Sequence, residues 1–161
     1  CNIFPFTTPY LVAPFLETIM LDYSASTTIN ASPETIWQIL TDAPHYTDWE
    51  PTVIRIEGTI APGEKIKVFS KLSPDRAFPV TVSEFVPGQK MVWSSGMPLG
   101  LFKGVRTFTL TPQNGAVHVK IREVFSGILL PLIGRTIPDM TEPFQQFVQG
   151  LKQHAEAQEQ Q

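Results

Sequence analysis

Residues 102–126 read FKGVRTFTLTPQNGAVHVKIREVFS, and the Asn114-Gly115 pair near the middle decides the fold around it. Asn-Gly between two alternating runs is the strongest short hairpin signal, because a type I′ turn needs positive φ at both central residues. With those two residues as the turn, Gln113 faces Ala116, and the runs 102–113 and 116–126 fall into one register. Leu110 then faces Val119, Phe108 faces Ile121 and Arg106 faces Glu123. All share one face, since alternate strand residues do. The other face carries Thr107 with Arg122, Thr109 with Lys120 and Thr111 with His118, which suits water. Arg106 and Glu123 are thus expected opposite each other on the core side of a sheet. A lone buried charge is very costly and a paired one is tolerable. The pair reads either as a structural clasp or as the polar anchor of an internal cavity.

Composition bounds what surrounds this hairpin. The chain has 161 residues, enough for one domain with a sizeable core. Hydrophobic residues make up 42% and charged residues 17%, which places it among globular chains. Net charge is −3 with no Lys/Arg cluster, which argues against nucleic acid or an anionic membrane surface as the main partner. The single cysteine, Cys1, permits neither an intramolecular disulfide nor a thiolate metal site. Eleven Phe against 3 Tyr and 3 Trp supply a core and could also line an apolar pocket.

Residues 1–20, CNIFPFTTPYLVAPFLETIM, form an apolar extension without Lys or Arg. It lacks the basic segment of a secretory signal, and Pro5, Pro9 and Pro14 interrupt any helix. It is too short and broken for a transmembrane span. Three readings stand: a packing arm over a groove or another subunit, sequence upstream of a natural start at Met20, or a lipid-bearing Cys1. The first two are favoured. Residues 21–161 read as one domain.

Within it, Tyr23–Ile29 alternates as a first strand. Ser32-Pro33-Glu34 opens a helix, with Ser as N-cap, Pro at the first helical position and an acid in the first turn. That helix carries Ile36, Trp37, Ile39 and Leu40, ends before Pro44, and leads to a short turn through His45, Tyr46 and Trp49. Strands follow at about 52–60, 64–72, 77–86 and 89–97, broken by Pro62-Gly63, Ser73-Pro74-Asp75 and Pro87-Gly88. In the second of these, Ile66, Val68 and Leu72 face one way and the lysines the other. A tight turn at Pro87-Gly88 sets Val82 opposite Trp93 and Glu84 opposite Met91. After Gly127 an apolar connector leads to helical spacing from about 138 to 156, with Met140, Phe144, Phe147, Val148 and Leu151 on one side. The tail AEAQEQQ is expected to fray. The class is α+β, an antiparallel sheet with one long C-terminal helix on its face.

This order, with INASPETIWQILTDAPHYTDWEPTV, VTVSEFVPGQKMVW, GVRTFTLTPQNGAVHVKIREVFSG and the last helix, resembles the START/Bet v 1-like (SRPBCC) superfamily over roughly residues 22–157. It is most similar to the polyketide-cyclase/dehydrase-type branch of small bacterial ligand-binding proteins. The resemblance implies a helix-grip fold, in which a curved seven-stranded antiparallel sheet wraps round the long C-terminal helix, with two short helices after the first strand. It also implies a hydrophobic cavity between sheet and helix. Members bind lipids, hormones, polyketides or other apolar molecules, and a minority catalyse reactions there. The extension 1–20 has no counterpart in the family pattern.

The candidate ligand-binding residues are Arg106, Glu123, Trp93, Met97, Phe102, Phe108 and Phe125 from the sheet and Met140, Phe144 and Phe147 from the helix. An Arg fork can hold a carboxylate in two places. A carboxylate neutralised by Arg makes a poor general base, so no catalytic residue is assigned. Residues 96–101 are a candidate apolar entrance flap. His45, His118 and His154 form no set, and no metal spacing, phosphate loop or nucleophile elbow occurs, so no metal or cofactor is expected. The expected function is binding or transport of a hydrophobic small molecule or lipid, with Arg106 as polar anchor. The rivals are a polyketide cyclase or dehydratase acting in the same cavity, and a protein-interaction module of the Hsp90-activator type. No nucleic acid and no transmembrane segment are expected, a homodimer is left open, and the absence of a clear targeting signal favours the cytoplasm.

Overall fold

The structure, a computed structural model, describes residues 19–161, so most of the apolar extension lies outside the described residues. The elements run β1 (Leu21–Ile29), α1 (Pro33–Thr41), a 3₁₀ segment (Ala43–Asp48), β2 (Val53–Glu57), β3 (Lys65–Ser70), β4 (Ala77–Val86) and β5 (Lys90–Met97). They continue with β6 (Phe102–Gln113), β7 (Ala116–Ser126), a one-turn α2 (Leu130–Ile133) and α3 (Thr141–Glu159). The seven strands form one antiparallel sheet in the order β1-β7-β6-β5-β4-β3-β2, curled as the half-barrel of a helix-grip fold around α3.

The β6–β7 hairpin has the register read from Asn114-Gly115. Gln113 pairs with Ala116, Phe108 with Ile121 and Arg106 with Glu123. Asn114 has φ 50° and Gly115 φ 82°, the left-handed pair that a type I′ turn requires. On the concave face Phe108, Leu110, Val117, Val119 and Ile121 are buried, while Lys120 and Arg122 face solvent.

Helix α1 starts as its sequence dictates: Ser32 Oγ accepts from the Thr35 N–H at 3.1 Å, with Pro33 and Glu34 in the first turn. The β4–β5 pairing differs from the tight-turn register. Val82 does face Trp93, but a bulge follows and Phe85, not Glu84, faces Met91. The extra residue lets apolar Phe85 pack on Trp37 with ring centroids 5.1 Å apart. Glu84 turns outward to Lys90 Nζ, 2.7 Å away. Strand β3 stops at Ser70, so Leu72 lies beyond it and is exposed.

Helix α3 runs three residues past the expected end and does not fray there. Glu156 Oε1 accepts from the Asn30 N–H at 3.0 Å and from Lys152 Nζ at 2.6 Å. Glu159 Oε1 accepts from the Ser32 N–H at 2.9 Å and from Thr35 Oγ1 at 2.7 Å. The polar tail is thus held by the start of α1, a non-local partner invisible to helix periodicity. The inner stripe Phe144, Phe147, Val148, Leu151 and Ala155 is buried against the sheet. Gly150 sets the helix depth: a Cβ there would sit 2.1 Å from the Trp49 carbonyl oxygen.

Candidate functional site

One cross-strand row on the concave face gathers the candidate polar groups. By register, Tyr23 of β1 lies beside Glu123 of β7, Glu123 beside Arg106 of β6, Arg106 beside Trp93 of β5, and Trp93 beside Val82 of β4. Arg106 donates from Nη2 to Glu123 Oε2 at 2.7 Å and from Nε to the same oxygen at 3.2 Å. The two side chains keep only 22% and 11% exposure, so the pair sits at the edge of the core rather than on the surface. The Arg106 guanidinium also lies over the Phe144 ring, 5.2 Å from its centroid.

Trp93 completes the row with an unusual feature. Its Nε1 is buried and has no hydrogen-bond partner among the described residues. Buried donors are normally paired, because leaving one unmade costs on the order of 1–3 kcal/mol.

A group that the sequence reading did not single out faces the same region. Glu50 is 4% exposed, buried although charged residues rarely are. Its carboxylate accepts from the Thr52 N–H at 3.1 Å and from Thr52 Oγ1 at 2.9 and 2.8 Å. Burial raises its carboxyl above the usual carboxylate range, opposed by the Thr52 hydrogen bonds and by the charges of Arg106 and Lys71. The Tyr46 phenol is pushed up by burial as well, against the pull of Arg106, and donates to the Leu40 carbonyl at 2.7 Å. The signal for Glu50 was weak: an acid after Trp49 in a turn reads as solvated until the fold closes over it.

Below this row the space between sheet and helix is filled. Trp93, Phe108, Phe147, Trp49 and Tyr46 form a closed circuit of ring contacts, with successive centroids 4.8, 5.7, 5.0, 4.7 and 6.2 Å apart. Five aromatic rings thus meet across the middle of the grip, in the region where the resemblance implies a hollow. Of the candidate wall residues, Trp93, Phe108, Phe144 and Phe147 are core. Phe102, Phe125 and Met140 are half-buried at the other end of the row, and Met97 is exposed. There Phe102 stacks on Phe125 at 6.0 Å, and Phe125 meets Tyr23 edge-on at 6.4 Å. Gly104, opposite Phe125, makes room for this: a Cβ would lie 3.3 Å from the ring. The expected flap is tighter than a loop, since Gly96 and Met97 belong to β5 and only a 3₁₀ turn at Pro98–Gly100 joins it to β6.

Two open hollows of the described surface lie away from Arg106. One, of about 580 Å³, lies at the Asn114-Gly115 end beside residues 30–33 and Glu159. The other, of about 390 Å³, is lined by Asp42, His45, Asp48 and His154 among others. His45 and His154 thus share a wall, which their sequence positions did not indicate. His45 Nδ1 is 2.9 Å from Asp42 Oδ2, a contact that raises the imidazole's proton affinity. Among the described residues no three His, Cys, Asp or Glu side chains gather as a metal site. No described helix is long and apolar enough to cross a membrane.

A curved antiparallel sheet gripping a C-terminal helix, with a polar row on its concave face, defines the class. Residues 20–156 match the family described as "Polyketide cyclase / dehydrase and lipid transport", and the chain belongs to that family. Among solved structures it is similar to a protein from Mesorhizobium loti, at 21% identity and TM-score 0.64, covering 83% of this chain and 95% of that one. It is also similar to a START superfamily protein from Mycobacterium smegmatis, at 15% identity and TM-score 0.61, covering 86% and 98%. A third is the di-domain ARO/CYC StfQ of the steffimycin biosynthetic pathway, at 14% identity and TM-score 0.67, covering 88% of this chain and 53% of that one. At these identities the likeness is one of fold. No curated protein matches the chain.

Proposed function

We propose that this protein binds an apolar or amphipathic small molecule between the sheet and the start of α3, with Arg106 as its polar anchor. The observation that carries this reading is the Arg106–Glu123 pair itself. It stands on the concave face beside an unpartnered Trp93 N–H, at the point where the packed core gives way to half-buried Tyr23, Phe102, Phe125 and Met140. Arg106 spends Nε and Nη2 on a single Glu123 oxygen, which leaves Nη1 without a hydrogen bond among the described residues. A ligand oxygen at Nη1 would satisfy Arg106, while its apolar part adds roughly 25 cal/mol per Å² removed from water, less the ordering cost. The family description, which includes lipid transport, supports the same chemistry.

The test compares a long-chain fatty acid with its methyl ester on the wild type and on Arg106→Met/Glu123→Leu. A charge-assisted hydrogen bond contributes about 1.5–3 kcal/mol, so the acid should lose roughly 10- to 100-fold in affinity while the ester changes little. Equal effects on both ligands, or none, would sink the anchor role.

One observation favours a second reading, an enzyme of the cyclase or dehydratase kind. Glu50 is a buried acid whose ionisation is held back by its surroundings, within the field of Arg106. Such a group can give and take a proton nearer neutral pH than an exposed carboxyl. If this reading holds, Glu50→Gln abolishes turnover of a polyketide-like β-keto substrate and leaves its binding intact. Unchanged turnover removes Glu50 from any mechanism.

A further inference from the structure

The three most exposed large apolar side chains of the described residues stand at one end of the sheet. They are Leu99 at 96%, Leu132 at 76% and Ile128 at 75%. Leu99 sits in the 3₁₀ turn between β5 and β6, and the other two in the connector after β7. The backbone fixes these two segments against each other. The Leu129 N–H donates to the Leu101 carbonyl at 2.9 Å. Gly127 (φ 120°) lies so close that a Cβ would sit 2.5 Å from that same oxygen. Met97, beside Leu99, is exposed as well, and so is Leu72 in the β3–β4 turn. Antiparallel alternation puts that turn at the same end. Exposed hydrophobics are ordinarily scattered singly, and a cluster held by backbone contacts marks an interaction surface.

The charges around this cluster have a sign of their own. Lys103 follows the β5–β6 turn and Arg135 follows Leu132, while Lys71 and Arg76 flank the β3–β4 turn; all four are exposed. None of the four forms a salt bridge among the described residues. The acids of this end are Asp75, Asp139 and Glu142, of which Asp139 accepts from the Thr141 N–H and Glu142 from Gln146. Asp22, at the start of β1, is neutralised by Arg122. Cations therefore outnumber acids here, although the whole chain is at −3.

From this arrangement we infer that the open end of the grip docks on a lipid bilayer containing anionic phospholipid. Leu99, Ile128 and Leu132 enter the boundary between headgroups and acyl chains, and Lys103 and Arg135 border them at the level of the phosphates. The apolar residues are aliphatic tips on tight connections, not a flat face. A fluid bilayer accepts such points, whereas a protein partner has to match their shape. The attachment is to the surface, and no described helix is long and apolar enough to span. Half-buried Phe102 and Phe125 adjoin the two docking segments in sequence, so the end of the sheet that faces lipid is the end where the core loosens. Docking itself needs no ligand in the grip.

The test sediments the full chain with vesicles of phosphatidylcholine alone and of phosphatidylcholine mixed with phosphatidylglycerol. The wild type should bind the mixed vesicles more tightly, and added salt should weaken that binding. Leu99→Asp/Leu132→Asp should lower the partition coefficient roughly 10-fold or more on the mixed vesicles, with an unchanged melting temperature because both side chains are exposed. Lys103→Gln/Arg135→Gln should lower it about 10-fold on the mixed vesicles and leave the weak binding to phosphatidylcholine alone as it was. A fluorophore at Leu99→Cys, in a Cys1→Ser background, should shift to the blue on vesicles, and one at Glu64→Cys, at the opposite end of the sheet, should not. Absence of wild-type binding, or binding that survives Leu99→Asp/Leu132→Asp, would overturn the inference. So would a wild-type dimer that ignores vesicles and that Leu99→Asp/Leu132→Asp dissolves, since a second copy would then cover this end.

Discussion

Removing Arg106 alone strands the Glu123 carboxylate on a nearly buried face with both of its hydrogen bonds gone. Breaking a fully buried ion pair costs about 3–5 kcal/mol, mostly the penalty of the charge left behind. Here the partners keep 22% and 11% exposure, so water recovers part of that and a loss of about 2–3 kcal/mol is expected for Arg106→Met. Replacing both partners tells a different story. Arg106→Met/Glu123→Leu leaves no charge to solvate and lets Met lie against Phe144, so its stability should return to within about 1 kcal/mol of the wild type. Urea unfolding of the wild type, both single variants and the double variant closes the cycle, with a coupling of about 2 kcal/mol expected. For a domain of this size the Arg106→Met loss corresponds to a fall in melting temperature of roughly 5–10 °C. A single-variant loss under about 1 kcal/mol, or a double variant that loses the sum of the singles, would refute the picture of a desolvated pair.

Three further outcomes follow from the same geometry. Gly150→Ala should destabilise by about 1–3 kcal/mol, although Ala is the better helix former, because its Cβ would meet the Trp49 carbonyl oxygen; thermal unfolding that showed stabilisation would mean that α3 is free to move. Gly115→Ala meets no neighbour within 4 Å, so its cost, about 1–2 kcal/mol, is the left-handed backbone alone and should appear in equilibrium unfolding with no change in m-value. Glu50→Gln has a pH signature. Burial raises the Glu50 carboxyl above 4.5, so the folded protein holds this proton more tightly than the unfolded chain. Stability is therefore lost as pH rises from the unfolded value through the raised folded one. The Gln variant lacks that loss and should exceed the wild type in stability at pH 8, with the gap closing by pH 4; a pH-independent gap would contradict the burial argument.

The sequence carried the hairpin well because its determinants are local. Asn114-Gly115 fixes the turn, and the period of two then places Arg106 against Glu123 with no free parameter. The strands and the helix start at Ser32 follow from similarly short-range chemistry. What escaped depended on partners far along the chain. The bulge that exchanges Glu84 for Phe85 answers to Trp37, and the end of α3 is held by Asn30 and Ser32. Glu50 looks like a solvated turn residue until α3 closes on Trp49. The filled middle of the grip has the same origin. Spacing shows that Trp93, Phe108 and Phe147 face inward, but whether inward aromatics enclose a hollow or meet one another depends on helix depth, which Gly150 sets.

Native mass spectrometry of the protein after incubation with a total lipid extract shows whether the Arg106 end of the grip holds an apolar molecule through an acceptor oxygen. The wild type should retain a stoichiometric adduct that denaturing extraction identifies as a fatty acid or other oxygen-bearing amphiphile, and Arg106→Met/Glu123→Leu should not retain it. A wild type that stays at its bare mass, or a variant that keeps the same adduct at the same occupancy, would contradict that mode of binding.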